Sequence, residues 1–154
     1  MIIKDNHLTT WIQKRRIVPI NSKNIHSKGL LENLSHAIKI ALDLKINKKV
    51  IEKTIPKIIF EGRFQYLNKG KIKKKLHQNE KIMIDGAHAE VDAKNLSDYL
   101  KSIKIPRYGI WAMMKNKEPD LFIKQFKNIF KKIITIPIEN EKGTLNNNKL
   151  YQIA

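Results

Sequence analysis

A short acidic turn is the first place where chemistry could be done. Asp85 ends the apolar stretch Lys81-Ile82-Met83-Ile84 and is followed by Gly86, Ala87 and His88. A carboxylate at a strand end, then small residues and a helix start, can present acid and imidazole to a ligand. The same residues also fit plainer roles: Asp85 as the cap of the following helix, and His88 as a surface histidine. Arg63 is one of only four arginines in a chain that otherwise prefers lysine. A need for planar guanidinium geometry stands there beside an ordinary ion pair. The segment Lys115 to Glu118 lies at the end of another apolar stretch.

Several other chemistries are excluded. There is no cysteine, hence no disulfide framework, no thiol nucleophile and no cysteine-based zinc or iron–sulfur site. The histidines, His7, His26, His36, His77 and His88, show no metal-ligand spacing such as HExxH. No GxxxxGK[ST] phosphate loop occurs. Gly62 and Gly70-Lys71 are spaced too widely for one, and Ile72 stands where a hydroxyl is needed. A dinucleotide fingerprint is absent too.

The elements that must position these residues follow from periodicity. Residues 1–31 read as irregular, a strand or loop remnant with Pro19, Ser22, Ser27 and Gly29 and the basic group Lys14-Arg15-Arg16. Leu34, Ala37, Ile38, Ala41, Leu42 and Leu44 predict an amphipathic helix over 32–44. Asn47 is placed to cap a short helix over 48–55, which Pro56 resists continuing. Phe60 to Leu67 alternates like a strand, and Lys71 to Lys75 reads as a solvated loop or strand edge. Lys81 to Asp85 reads as a buried strand, 89–103 as a helix, and Tyr108 to Met114 as an apolar strand. Pro119 opens a helix to about 130, Ile133 to Ile138 is a further strand, and Asn146 to Ala154 looks like a helix barely begun. This rhythm predicts an α/β fold with right-handed crossovers and a mostly parallel, Rossmann-like sheet with flanking helices.

The charge is loud. Lysine and arginine number 31 against 14 acids, a net +17, which raises nucleic acid or an anionic membrane surface as partners. Its make-up favours a blander source. Lys, Ile and Asn together are 67 of 154 residues, all coded by A/T-rich triplets, and a phosphate-reading surface would also use arginine. Nucleic acid is therefore not the expected partner. No apolar run approaches the roughly 20 residues of a membrane helix. The start, MIIKDNHLTT, lacks the apolar core of a signal peptide. A cytoplasmic protein without a membrane partner is expected.

Read together, the motifs carry a resemblance. Glu61-Gly62-Arg63-Phe64-Gln65, with Ile84-Asp85-Gly86-Ala87-His88 about 20 residues on, resembles the P-G-R-[FLT]-Q and D-G-A-H-N pair in the C-terminal domain of folylpolyglutamate synthase/dihydrofolate synthase. That family is a branch of the Mur ligase superfamily. Asn33-Leu34-Ser35-His36-Ala37-Ile38 resembles its N-A-x-x-A-[IL] helix, and Ala112-Met113-Met114-Lys115-Asn116-Lys117-Glu118 its G-M-x-x-x-K-D segment. The resemblance implies ATP-driven ligation with Mg²⁺: a folate carboxyl is phosphorylated to an acyl phosphate, which the amino group of L-glutamate attacks. It implies nucleotide binding by Arg63 (phosphates) and Asp85 (ribose hydroxyls). His88 is implied beside the reacting phosphate, and Lys117 at the next strand end, as catalytic candidates.

The departures are informative. Glu61 stands for the family's proline, Ala89 for its asparagine, Ala112 for its glycine and Glu118 for its aspartate. The family's phosphate loop and Mg²⁺ ligands have no counterpart in these residues. The resemblance thus implies an internal fragment: residues 1–57 a remnant of the ATPase domain, and 58–154 a Mur ligase C-terminal-like domain, incomplete at its end. Alone it is expected to be inactive, with a separate ATPase-domain chain as a further expected partner beside ATP, folate and L-glutamate. The alternative is a basic protein binding nucleic acid or an anionic surface through Lys71–Lys75 and Lys14-Arg15-Arg16.

Overall fold

Ser27 and Asn47 start the two helices that organise the first half of the chain. In the computed structural model the described backbone covers residues 2–4, 7–12, 15–20, 25 and 27–154, and the described side chains those of 25 and 27–154. The chain divides into two compact units, Met1–Asp85 and Gly86–Ala154.

The first unit opens with three antiparallel strands, β1 (Ile2–Lys4), β2 (His7–Ile12) and β3 (Arg15–Ile20), in that order. Much of the segment expected to be irregular is therefore sheet. Its Ile, Val, Thr and Trp residues suit strands. Pro19, opposite Thr9, sits on the edge strand β3, where a missing N–H is tolerated. Lys14 lies outside the described residues, whereas Arg15 and Arg16 belong to β3.

Helix α1 (Lys28–Asp43) begins four residues earlier than the periodicity predicts, because the Ser27 side chain accepts the Leu30 N–H at 3.2 Å. Its buried stripe, Leu31, Leu34 and Ile38, packs with Ile25, Ile51 and Ile55. Asn47 caps α2 (Lys48–Thr54) as expected, accepting the Lys49 N–H at 2.9 Å. Pro56 then turns the chain into a single 3₁₀ turn, Ile55–Lys57.

Two expected strands shrink. β4 is Gln65–Tyr66 and β5 is Met83–Ile84, paired antiparallel. Positive φ at Gly62 and Phe64 (66° and 48°) breaks the extended geometry before β4. Ile84 is 44% exposed, so β5 is not the buried strand expected. The Lys71–Lys75 run is neither loop nor strand edge: Lys71–Lys74 form the one-turn helix α3.

The second unit runs α4 (Glu90–Ser102), β6 (Tyr108–Trp111), α5 (Pro119–Lys124), β7 (Lys132–Thr135) and α6 (Asn147–Ile153). β6 and β7 are parallel, Tyr108 opposite Lys132 and Trp111 opposite Thr135, joined through α5. Trp111 stacks on Phe122 at 6.1 Å between ring centroids, and Phe122 lies 5.2 Å from Phe126. Such pairs contribute about 0.5–1.5 kcal/mol each beyond area burial. Arg107 ties the unit together: its guanidinium donates to the Leu100 and Ile103 carbonyls at the end of α4 and, through Nε, to the Ile129 carbonyl at 3.1 Å. α5 is shorter than expected, six residues followed by turns. α6 is two turns long, with its N-terminus capped by Asn146.

The architecture is α/β, with a correction to the sheet. The described strands form three small sheets, and only β6–β7 is parallel. The mostly parallel, Rossmann-like sheet is met by that pair alone, because β4 and β5 form a two-residue antiparallel ladder and the N-terminal strands a meander.

Candidate functional site

The Glu61–Gln65 motif folds as a tight turn. The Arg63 N–H donates to the Phe60 carbonyl at 3.1 Å, and the Gly62 N–H to Gln65 Oε1 at 2.8 Å. Glycine takes a φ of 66° without steric cost. Phe64, at 48°, does not: left-handed backbone costs a residue with a Cβ roughly 1–2 kcal/mol. Two interactions offset that cost. The ring is buried, 7% exposed, and the Phe64 N–H donates to Asp85 Oδ2 at 2.7 Å, a charge-assisted bond.

The ladder register explains why residues 21 apart in sequence meet. Gln65 faces Ile84 and Tyr66 faces Met83, so one step further Phe64 faces Asp85. The same carboxylate holds Arg63, with Nη1 3.7 Å from Oδ1. The two side chains differ in access: Arg63 is 35% exposed and Asp85 5%. Asp85 therefore does not cap the following helix. That cap is Ala89, which offers no side-chain bond, and Glu90 and Asp92 supply the negative charge of the first turn.

The structure thus brings Arg63 and Asp85 together in the first unit. His88 belongs to the second unit and is exposed, its Nδ1 2.9 Å from the Gly86 carbonyl. A carbonyl only accepts, so Nδ1 carries the hydrogen and Nε2 of the neutral ring is the acceptor. Lys117 is half-buried in the turn after β6, its N–H bonded to the Met114 carbonyl at 3.2 Å. Among the described residues no hydrogen bond or ion pair joins Lys117 to His88. No three His, Asp or Glu side chains gather as a cation site among the described residues. A cleft of about 530 Å³ in the second unit is lined by residues including Phe126, Phe130, Ile133 and Lys127, and holds none of the four candidates. Gln65 and Phe64 are working parts of the turn to which their residue types alone assign no role. The signal for them is the glycine three residues before Gln65, which marks a turn where the alternation predicts a strand.

As the motifs led one to expect, the chain has the fold of one part of solved folylpolyglutamate synthases. The likeness is to solved structures. One is E. coli FolC in complex with DHPP and ADP: 18% identity, TM-score 0.67, 86% of this chain and 30% of that one. A second is Mycobacterium tuberculosis folylpolyglutamate synthase complexed with ADP: 14% identity, TM-score 0.71, 90% and 29%. A third is a bifunctional folylpolyglutamate synthase/dihydrofolate synthase with Mn, AMPPNP and L-glutamate bound: 14% identity, TM-score 0.72, 94% and 33%. At these identities the likeness is one of fold, and the chain spans about a third of the length of each structure. No family profile and no curated protein matches the chain.

Proposed function

We propose that this chain belongs to the folylpolyglutamate synthase/dihydrofolate synthase branch of the Mur ligases and supplies the C-terminal, nucleotide-contacting part of an ATP-dependent ligase joining L-glutamate to a folate. The observation that carries this reading is the meeting of the two motifs. Arg63 and Asp85 resemble the family's nucleotide-binding pair in sequence, and they meet at the end of the β4–β5 ladder in a chain whose fold is like that of the family's solved structures. In this reading the Arg63 guanidinium holds the nucleotide phosphates as a folate carboxyl becomes an acyl phosphate. His88 and Lys117 are the candidates for assisting that transfer and the attack by the glutamate amine. Mg²⁺ in such a reaction would need ligands from elsewhere.

Magnitudes set what the 154 residues do alone. A hydrogen bond to a charged group is worth about 1.5–3 kcal/mol, less at an arginine one-third exposed to screening water. Millimolar affinity needs about 4.1 kcal/mol. Arg63 by itself therefore gives binding weaker than millimolar. Orienting two substrates and a metal, the source of most phosphoryl-transfer catalysis, needs the phosphate loop these residues lack. The chain alone is proposed to show no glutamate-dependent ATP turnover, and a separate ATPase-domain chain is the partner proposed to restore it, in the cytoplasm.

A thermal melt tests the reading. At an ATP concentration near its Kd, the stabilisation is about 0.4 kcal/mol, a rise of roughly 1–2 °C in a chain of this size. That rise should vanish in Arg63→Ala. An equal rise in both proteins would sink the assignment. The alternative basic-surface reading predicts instead an affinity for RNA or anionic vesicles that falls steeply with salt and ignores Arg63.

A further inference from the structure

Arg107 stands just before β6, in the second unit, and its donors can be counted. Nε bonds the Ile129 carbonyl at 3.1 Å, and Nη1 bonds the Leu100 and Ile103 carbonyls. A guanidinium carries five N–H donors. Nε supplies one and Nη1 two, so the hydrogens of Nη2 meet no acceptor among the described residues. The side chain is half-buried, on the wall of a basin of about 330 Å³ that Lys104 and Lys131 also line. No acid lines that basin, and its wall includes the apolar Ile105, Pro106 and Phe130.

A concave surface lined by charge of one sign concentrates counter-ions. The carbonyl end of α4 opposes an anion, but Nη1 already engages two of those carbonyls. A planar guanidinium with a spare amino group suits the oxygens of a phosphate, and the two lysines add point charge. We propose that this basin is a binding site for a phosphate group, held by Arg107 Nη2 with Lys104 and Lys131. Ile105, Pro106 and Phe130 offer an apolar surface to any organic substituent that the phosphate carries. The site is independent of the reading of Arg63.

Two probes separate a free phosphate from an organic phosphomonoester: inorganic phosphate and phenyl phosphate. Each is titrated into the isotope-labelled full chain, and NMR follows the amide signals and the Nε–Hε signals of the four arginines. The parent is compared with two double variants, Lys104→Gln/Lys131→Gln and Lys142→Gln/Lys149→Gln. The second is a charge-matched control for the general pull of a +17 chain on any anion. Its lysines are exposed and line neither this basin nor the larger cleft of the second unit. Arg107 is left in place, because it also holds the end of α4 to the turn at Ile129.

Saturable shifts are expected at the amides of residues 104, 105, 107 and 128–131 and at the Arg107 Nε–Hε signal, with millimolar affinity, as partly exposed charges give. Lys104→Gln/Lys131→Gln should bind about fivefold more weakly, and the control should stay within about twofold of the parent. Tighter binding of phenyl phosphate assigns the site to an organic phosphomonoester, and equal affinity assigns it to free phosphate; both support the proposal. An equal loss in the two double variants would overturn it, since general charge would then be the attraction. Shifts that spare Arg107, or that do not saturate at these amides, would overturn it as well. Shifts confined to residues 62–64 would remove this site and leave the reading of Arg63 standing. Shifts at 104–107 and 128–131 with none at 62–64 would support it whatever becomes of that reading.

Discussion

The turn at residues 60–65 and the β6–α5–β7 crossover are held by opposite means. The crossover rests on an apolar file: Trp111, Phe122 and Phe126 are each 8% exposed or less, and Phe130 lies 5.6 Å from Phe126. The turn rests on polar bonds, among them backbone N–H groups donating to the Gln65 and Asp85 side chains and to the Phe60 carbonyl, around a ladder only two residues long. Burial is non-directional, so it builds a stable frame that tolerates small shifts. A charged acceptor 2.7 Å from one amide is directional, and it fixes where a single guanidinium sits. Stability and site geometry are thereby separable. Core substitutions should be read in the melting temperature, and turn substitutions in binding.

The largest break in that contrast is Phe122→Ala. It removes the ring between Trp111 and Phe126, and truncating a buried aromatic costs about 3–5 kcal/mol. A fall of about 10 °C in the thermal transition is expected. A fall under 2 °C would show that the aromatic file carries little of the fold. Arg107→Met comes next, at about 2 kcal/mol. The thioether keeps much of the stem's packing but removes the guanidinium bonds to the Leu100, Ile103 and Ile129 carbonyls, of which Leu100 still accepts the Ile103 N–H. Denaturant unfolding reads this as a lower midpoint at constant slope. Asn47→Ala should cost about 1 kcal/mol by leaving the Lys49 N–H uncapped, and Asn47→Gly only a few tenths, a difference that circular dichroism melts resolve.

These expectations follow the line between what the sequence shows and what it hides. The helical positions Leu34 and Ile38, the Asn47 cap, helix α4 and the parallel β6–β7 pair were legible because each depends on spacing within one segment or on a single crossover rule, whereas Leu31 lay in the stretch read as irregular. The N-terminal meander was not, since Pro19 reads as a breaker until its place on an edge strand is known. The shrinkage of β4 was hidden in Phe64, a residue whose type favours strands but whose backbone is left-handed. Arg63 and Asp85 were legible as candidates by residue type and motif. Their contact was not, because it depends on the register of a ladder that no local pattern announces.

The smallest effect is the sharpest check on polar bonds as a class. Lys39 and Asp43 form a close ion pair one turn apart on α1, yet both side chains are about half exposed, at 47% and 61%. Exposed pairs of this spacing contribute roughly 0.3–0.5 kcal/mol. Here the order, lysine before aspartate, is the less favourable one, and Asp43 puts a negative charge at the negative end of the helix dipole. The two effects oppose each other at similar size. Asp43→Asn should therefore change stability by less than about 0.5 kcal/mol in either direction. A loss of 1.5 kcal/mol or more in a denaturant titration would mean that exposed charge holds this chain more firmly than its burial suggests. The polar turn at Arg63 would then no longer be set apart by the shielding of Asp85, and the contrast between the two regions would fail.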